Sequence, residues 1–247
     1  MGTTLEIKTD DGTAEAYLTG SGPGVLFFID AIGLRPRIEE MADRIAGWGY
    51  TVLAPNVFYR LGTSEELLPP MDLTVPENRK AYGPVIMPRV QGYTSDLSDP
   101  DTARWLDVLG EHARPGPVGV TGYCMGARLA VRAAALRPEH VVAAAGFHGA
   151  ALVDGSEASP HLLLPHCRAE FAFGHADADP ANDADAIAEL GRALAAAGLT
   201  AVNETYPDAP HGFSMSDTAS YQEEGAERMF RTLEDLLQRT LGGPARG

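Results

Sequence analysis

Short apolar runs and longer amphipathic segments alternate along most of the chain. Residues 25–29 are continuously apolar, as in a strand buried on both faces, whereas residues 37–48 repeat their apolar positions with helical spacing. Further strands are predicted at 50–54, 118–121, 141–147, 170–173 and 201–206, and further helices at 101–113, 127–137, 183–197 and 217–241. Such alternation predicts an α/β fold with a mostly parallel central sheet and helices on both faces.

Two parts of the chain depart from this alternation. Near the start, residues 5–8 and 14–18 flank Asp11-Gly12, a favoured hairpin turn. Between residues 59 and 91 five prolines interrupt the pattern, which predicts an irregular excursion over one edge of the sheet with short helical pieces; long segments of this kind are often functional. Because there is no internal repeat or break in composition, residues 1–247 are expected to form one domain, with a frayed tail at 242–247.

The charge balance limits the kinds of partner. Acidic residues outnumber basic residues 34 to 19, a net charge of −15, which argues against binding nucleic acid or an anionic membrane through bulk electrostatics. No segment reaches the roughly 20 apolar residues of a membrane span, and the first residues lack the features of a signal peptide. The two cysteines, Cys124 and Cys167, offer no disulfide framework, so these features together favour a reducing cytoplasm.

A five-residue motif, Gly122-Tyr123-Cys124-Met125-Gly126, joins a predicted strand to a predicted helix. A nucleophile at the apex of such a tight turn is a nucleophile elbow, and the two glycines allow neighbouring backbone to approach the apex. The positive end of the following helix favours a thiolate over a thiol. The motif therefore predicts Cys124 as the nucleophile of a hydrolytic acyl transfer.

A thiol nucleophile needs a base, and the base needs an orienting acid. His211 follows the last predicted strand, and Asp177 follows the strand before it, with Asp179 as a competitor two residues later. The chain order of nucleophile, acid and histidine is that of α/β-hydrolases, and the carboxyl ends of parallel strands are where such sites form. The order favours Asp177 as the acid.

The chain resembles the dienelactone hydrolase (carboxymethylenebutenolidase) family. The resemblance rests on Gly122–Gly126, Gly-His-Ala-Asp at 174–177, His-Gly-Phe at 211–213 and Asp30-Ala31-Ile32-Gly33 after the first buried strand. It implies that Cys124 is the nucleophile, His211 the base and Asp177 the acid, and that the backbone N–H groups of Met125 and Ala31 form the oxyanion hole.

The resemblance also implies accessory roles. Asp30 stands where the family usually has a glutamate thought to take the proton of the resting thiol, one methylene longer than aspartate. The family grips an anionic substrate with arginines; Arg79 or Arg89 is a candidate for one of them, and Met215 occupies the position of another. Tyr123, inside the elbow, is a further candidate substrate contact.

No cofactor or metal is expected. His161, His166 and Cys167 lack the spacing of a standard zinc site. The glycines at 20, 22 and 24 precede a strand and do not open a helix, unlike a dinucleotide fingerprint.

The leading hypothesis is a cytoplasmic, cofactor-free hydrolase of small esters or lactones that forms an acyl-thioester, acting on a small-molecule substrate as a monomer or dimer. Two alternatives stay open. One is a carboxylesterase or thioesterase with a larger acyl pocket built from residues 59–91. The other is a non-catalytic ligand-binding homologue that keeps the fold.

Overall fold

A computed structural model describes residues 2–242, so most of the expected frayed tail (residues 243–247) lies outside the described residues. The strands are β1 (Thr3–Thr9), β2 (Gly12–Gly20), β3 (Pro23–Phe28), β4 (Thr51–Pro55), β5 (Arg114–Tyr123), β6 (Val141–Phe147), β7 (Glu170–His175) and β8 (Ala201–Thr205). The α-helices are α1 (Pro36–Ala46), α2 (Pro76–Gly92), α3 (Ser95–His112), α4 (Met125–Leu136), α5 (Ala184–Ala196) and α6 (Glu223–Leu241), and a 3₁₀ helix spans Pro160–His166.

The described strands form one sheet in the order β1-β2-β4-β3-β5-β6-β7-β8. The hairpin of β1 and β2 pairs antiparallel and joins β4 antiparallel, and every pair from β4 to β8 is parallel. This arrangement confirms the predicted mostly parallel sheet. Because β3 and β5 to β8 run the same way, the loops that follow them meet at one edge, where the predicted catalytic residues lie.

Helices cover both faces of the sheet. On one face α1 and α6 lie together, joined by the Arg44–Glu227 ion pair and the edge contact of Trp48 with Phe230. On the other face α3 packs against α4, and the 3₁₀ helix packs against α4 and α5. The aromatic core lies between these layers on the central strands, with Phe27, Phe147 and Phe171 fully buried. The sheet is therefore a rigid base for the loops at its carboxyl edge.

The second half of the excursion differs from the prediction. Residues 76–92 form one continuous helix, α2, although Pro84 and Pro88 lie inside it. An interior proline removes one backbone hydrogen bond, but both prolines are exposed and lie four residues apart on one side, where water can solvate the freed carbonyls. Only Tyr82 of this helix is fully buried. The expectation of short helical pieces is thus corrected to a single surface helix.

The last helix also begins later than expected. Residues 206–222 are not part of α6, which starts at Glu223 and not at 217. Successive i to i+3 turns, including Phe213 N–H to Pro210 O and Met215 N–H to Gly212 O, fold this segment back toward the sheet edge. We call residues 211–217 the histidine loop, because His211 begins it.

Candidate active site

Cys124 sits at the apex of a strained turn between β5 and α4. Its φ and ψ of 55° and −118° are unusual for a residue with a side chain. A Cβ on Gly122 would lie 2.0 Å from Gly126 O, and one on Gly126 would lie 2.5 Å from Phe28 O. Both glycines are therefore required by close backbone contact. The strand, the turn and the helix have the geometry of a nucleophile elbow.

The sulfur of Cys124 lies next to an imidazole. His211 Nε2 is 3.1 Å from Cys124 Sγ, and both side chains are partly exposed. His211 Nδ1 lies 2.6 Å from Asp179 Oδ2, whose side chain is only 4% exposed. The three groups form a continuous chain of hydrogen bonds from a buried carboxylate to a reachable sulfur, which is the arrangement of a nucleophile, a base and an orienting acid.

The acid in this chain is not the one expected. Asp177 is exposed, and its Oδ2 accepts the backbone N–H of Asp208 at 2.9 Å. Between the two aspartates Ala178 has a φ of 49°, a left-handed conformation that turns the chain. This turn buries Asp179 beneath His211 and leaves Asp177 at the surface. The partner of His211 is thus corrected from Asp177 to Asp179.

The local charges favour a protonated imidazole. Burial alone lowers the pKa of His211, but attraction to the Cys124 sulfur and the bonds to Asp179 outweigh it and raise this pKa to about 10. Burial would raise the pKa of Asp179, yet its hydrogen bond to His211 brings that pKa below its usual value. The imidazole can therefore accept a proton from the thiol and keep it beside a carboxylate.

The two predicted oxyanion amides lie beside this chain. Met125 is the first residue of α4, so its N–H has no partner within the helix. Ala31 lies in the loop after β3, the strand that neighbours β5 in the sheet. Both residues line the same cavity as Cys124. Their placement supports the oxyanion role, which stays a proposal.

Asp30 is placed differently from its expected role. Arg35 Nη1 donates to Asp30 Oδ1 at 2.7 Å and Nη2 donates to Oδ2 at 3.0 Å, so both carboxylate oxygens are occupied by one buried guanidinium. Asp30 Oδ1 also accepts the N–H of Ile32. The carboxylate is thus directed into its own loop, and the group bonded to the Cys124 sulfur is His211. Asp30 also lines the cavity that contains Cys124, so its expected role as accessory acid stays a prediction beside this structural role in the loop.

A cavity of about 470 Å³ opens above the sulfur. Its apolar wall comes from α2, the elbow, the histidine loop and the loop after β3, and includes Ile32, Ile86, Met87, Val90, Met125 and Met215. Of the candidate substrate contacts, Arg79 lines this cavity, and its Nη2 donates to His211 O at 3.0 Å.

Two candidate substrate contacts lie elsewhere. Tyr123 is fully buried under the elbow and stacks on Phe27 at 4.6 Å. Arg89 is absent from the cavity wall and donates to the carbonyls of Ile32 and Leu67. Both expectations are corrected to structural roles, one in the core and one in fastening α2.

One cationic residue of the cavity wall, Arg128, was not among the residues predicted from the sequence. Arg128 lies four residues after Cys124 on α4, lines the cavity and donates to Val90 O at 2.9 Å. Residues four apart share one helix face, so the spacing of four residues between Cys124 and Arg128 could have identified Arg128 as a candidate. Burial lowers the pKa of Arg128, and the nearby Cys124 sulfur opposes that shift.

Two further histidines support the site. His148 follows β6, is fully buried, and places Nε2 2.8 Å from Ser214 Oγ in the histidine loop. Burial lowers the pKa of His148 well below its usual value, and the charge of His211 adds to that shift. His175 bonds Asn203 and Asn182, and burial lowers its pKa as well. Burial therefore favours the neutral form of both rings, and the His148 ring lies edge-on to the His211 ring with the ring centroids 5.5 Å apart.

Within residues 2–242 no group of three or more histidine, cysteine or acidic side chains is placed to hold a metal ion. Over the same residues, no helix has the length and apolar character needed to cross a membrane.

The sheet order, the elbow and the histidine after the last strand define an α/β-hydrolase. The model of the dienelactone hydrolase family matches residues 13–241, and the chain belongs to that family. It is a dienelactone hydrolase-like enzyme, a hydrolase of carboxylic ester bonds, as the motifs predicted.

Known relatives cover nearly the whole chain. A predicted carboxymethylenebutenolidase of Methylorubrum extorquens is 26% identical over 95% of this chain and 79% of its own length. One from Synechocystis is 26% identical over 92% of this chain and 90% of its own. The crystal structure of a predicted dienelactone hydrolase from Klebsiella pneumoniae superposes with a TM-score of 0.80 at 23% identity, covering 97% of this chain and 98% of its own, and shares the fold.

Proposed function

We propose that this enzyme hydrolyses small esters or lactones through an acyl-thioester on Cys124. The observation that supports the proposal is the unbroken chain from Asp179 through His211 to the Cys124 sulfur, at the base of an apolar cavity. A buried acid, an imidazole and a reachable thiol in this order activate a nucleophile.

Acylation begins when His211 Nε2 takes the thiol proton and Cys124 Sγ bonds to the substrate carbonyl carbon. The carbonyl electron pair moves to oxygen, and the N–H groups of Met125 and Ala31 stabilise that oxyanion. Losing one donor of this type typically costs about 3 kcal/mol of barrier. When the carbonyl re-forms, the C–O bond to the leaving group breaks and the leaving oxygen takes the proton from His211.

Deacylation repeats these steps with water. His211 Nε2 takes a proton from water as the water oxygen bonds to the thioester carbon. The C–S bond then breaks, the sulfur keeps the electron pair beside the protonated imidazole, and the acid is released. With a lactone the leaving hydroxyl stays on the same molecule, so the product is one hydroxy acid.

The cavity supports a small-molecule substrate. A volume of about 470 Å³ lies at the small end of ordinary ligand pockets. Arg79 and Arg128 place positive charge on a wall that is otherwise largely apolar, and Met215 adds a flexible apolar surface. Both cysteines are unpaired, which supports the proposal that the enzyme works in a reducing cytoplasm.

A substrate panel with matched variants tests the function. Wild type, Cys124→Ala and Cys167→Ala are assayed on cis- and trans-dienelactone, p-nitrophenyl esters of increasing acyl length and acyl-thioesters. Cys124→Ala is expected to lose on the order of 10⁴-fold or more in kcat, whereas Cys167→Ala, a buried thiol away from the site, matches wild type. Equal turnover by Cys124→Ala and wild type would remove this cysteine from the mechanism, and binding without turnover by wild type would indicate a ligand-binding protein.

A further inference from the structure

A buried guanidinium joins two loops of the active site. Arg35, 4% exposed, contacts Asp30 on one side and Asp217 on the other. Its Nε donates to Asp217 Oδ2 at 2.5 Å and its Nη2 to Asp217 Oδ1 at 3.2 Å. Its Nη1 also donates to Gly33 O at 3.0 Å. All three nitrogens of the Arg35 guanidinium therefore donate hydrogen bonds, and these bonds fix the relative positions of two separate segments.

One of these segments carries the proposed oxyanion amide. Asp30 immediately precedes Ala31, and its Oδ1 accepts the backbone N–H groups of Ile32 at 3.0 Å and Gly33 at 3.4 Å. The carboxylate thereby folds residues 30–33, the oxyanion loop, around itself. Gly33 has a φ of 120°, which only glycine adopts without strain. The direction of the Ala31 N–H consequently depends on where the Asp30 carboxylate is held.

The other segment is the histidine loop, which Asp217 ends. This loop has several anchors besides Arg35. His211 is bonded to Asp179, and Ser214 is bonded to His148 through its hydroxyl and to Arg37 through its carbonyl. The histidine loop is thus held by several contacts, and the Arg35–Asp217 ion pair connects it to the oxyanion loop.

We propose that Arg35 is a positioning residue: it is bonded to Asp217 on one side and to Asp30 on the other, and it thereby holds the Ala31 amide at the oxyanion position beside Cys124. The proposal rests on the proposed function, because it assumes acyl transfer at Cys124. It predicts that the ion pair with Asp217 matters for the chemical step and not for the reactivity of the thiol. A misplacement of about 1 Å at a reacting centre can cost about 100-fold in rate.

Asp217→Ala is the informative variant. Removing Arg35 would leave the buried Asp30 carboxylate without its counter-ion and endanger folding. Asp217 has a side chain that is 36% exposed, and Asp30 still neutralises Arg35 when Asp217 is removed. Glu227→Ala is the matched control, because it also removes one carboxylate from an arginine, Arg44, but at an exposed pair outside the two loops.

Three measurements are made on wild type and both variants: kcat and KM for p-nitrophenyl acetate, and the rate of Cys124 alkylation by iodoacetamide, which needs no oxyanion hole. Asp217→Ala is expected to lower kcat about tenfold or more while KM and the alkylation rate stay within about twofold. Glu227→Ala is expected to match wild type in all three.

Two results would overturn the proposal. One is a kcat for Asp217→Ala equal to that of Glu227→Ala. The other is an alkylation rate that falls in parallel with kcat, because the damage would then lie at the thiol–imidazole pair. Cys124→Ala, assayed alongside, separates the two claims: an active Cys124→Ala refutes the proposed function, whereas an inactive one beside a fully active Asp217→Ala refutes the positioning role alone.

Discussion

Substituting the two neighbouring aspartates separately tests which one orients the imidazole. Asp179 Oδ2 lies 2.6 Å from His211 Nδ1 in a buried position, whereas Asp177 is exposed and bonded to a backbone N–H. The same change, aspartate to asparagine, can therefore be made two residues apart. Each variant loses one negative charge, so differences between them report position and not net charge.

The size of the effect follows from the bond that is lost. A hydrogen bond to a charged group contributes about 1.5–3 kcal/mol, which corresponds to about 10- to 150-fold in rate if the bond is needed in the transition state. An asparagine at 179 can also present its N–H₂ group to Nδ1 and favour the wrong tautomer, so this range is a lower bound. Asp179→Asn is expected to lower kcat by at least about tenfold, and Asp177→Asn by less than about twofold.

The assay is steady-state hydrolysis of p-nitrophenyl acetate, with circular dichroism to verify that both variants are folded. A larger loss of kcat in Asp177→Asn than in Asp179→Asn would refute the assignment of the acid. Equal, small losses in both would show that the imidazole needs no orienting carboxylate.

Three further predictions concern the elbow, the imidazole and the second thiol. Gly122→Ala should cost more than about 3 kcal/mol in urea unfolding because its Cβ has no room, whereas Gly110→Ala, in open space on α3, should gain about 0.5–1 kcal/mol; similar values for both would contradict the steric account. The pKa of His211 is raised from 6.5 to about 10, so protonated His211 stabilises the folded state fully below pH 6.5, and this stabilisation is lost as the pH rises to about 10. The free energy of unfolding of wild type should therefore fall more over this pH range than that of His211→Gln. An identical fall in both would contradict this pH dependence. Burial raises the pKa of Cys167 to about 12, so iodoacetamide at about pH 8 should label native wild type once, at Cys124; labelling of native Cys124→Ser would show that Cys167 reacts.

The elbow could be predicted from sequence because its determinants are local. Gly122, Cys124 and Gly126 lie within five residues, and the contacts that exclude a Cβ involve the turn itself and the adjacent end of β3. The sheet could be predicted as well, since apolar runs that alternate with amphipathic helices admit few topologies. These features depend on periodicity and short spacing, which a single sequence displays directly.

The acid could not be identified in this way. Asp177 and Asp179 differ by two residues in a loop, and the choice between them depends on the left-handed turn at Ala178 and on burial by the histidine loop. Neither the turn nor the burial can be recognised from the pattern of polar and apolar residues. Chain order identified the loop, and three-dimensional contacts selected the residue.

For related reasons, the sequence could not predict that Asp30 pairs with Arg35 or that α2 is one continuous helix. An ion pair five residues apart outside a helix follows from loop conformation, which short-range propensity does not determine. The two prolines of α2 normally argue against a helix, and their exposure, which makes them tolerable, is a property of the folded chain. Family resemblance identified the segments involved, and the geometry reassigned the roles within them.

The covalent intermediate tests the mechanism most directly. Wild-type enzyme is mixed with p-nitrophenyl acetate, quenched in acid within the first turnover and examined by intact-protein and peptide mass spectrometry. The mechanism predicts one added acetyl group, located on the peptide that contains Cys124 and absent from Cys124→Ala. Turnover by wild type with no acetyl group at Cys124, or with the same adduct in Cys124→Ala, would contradict it.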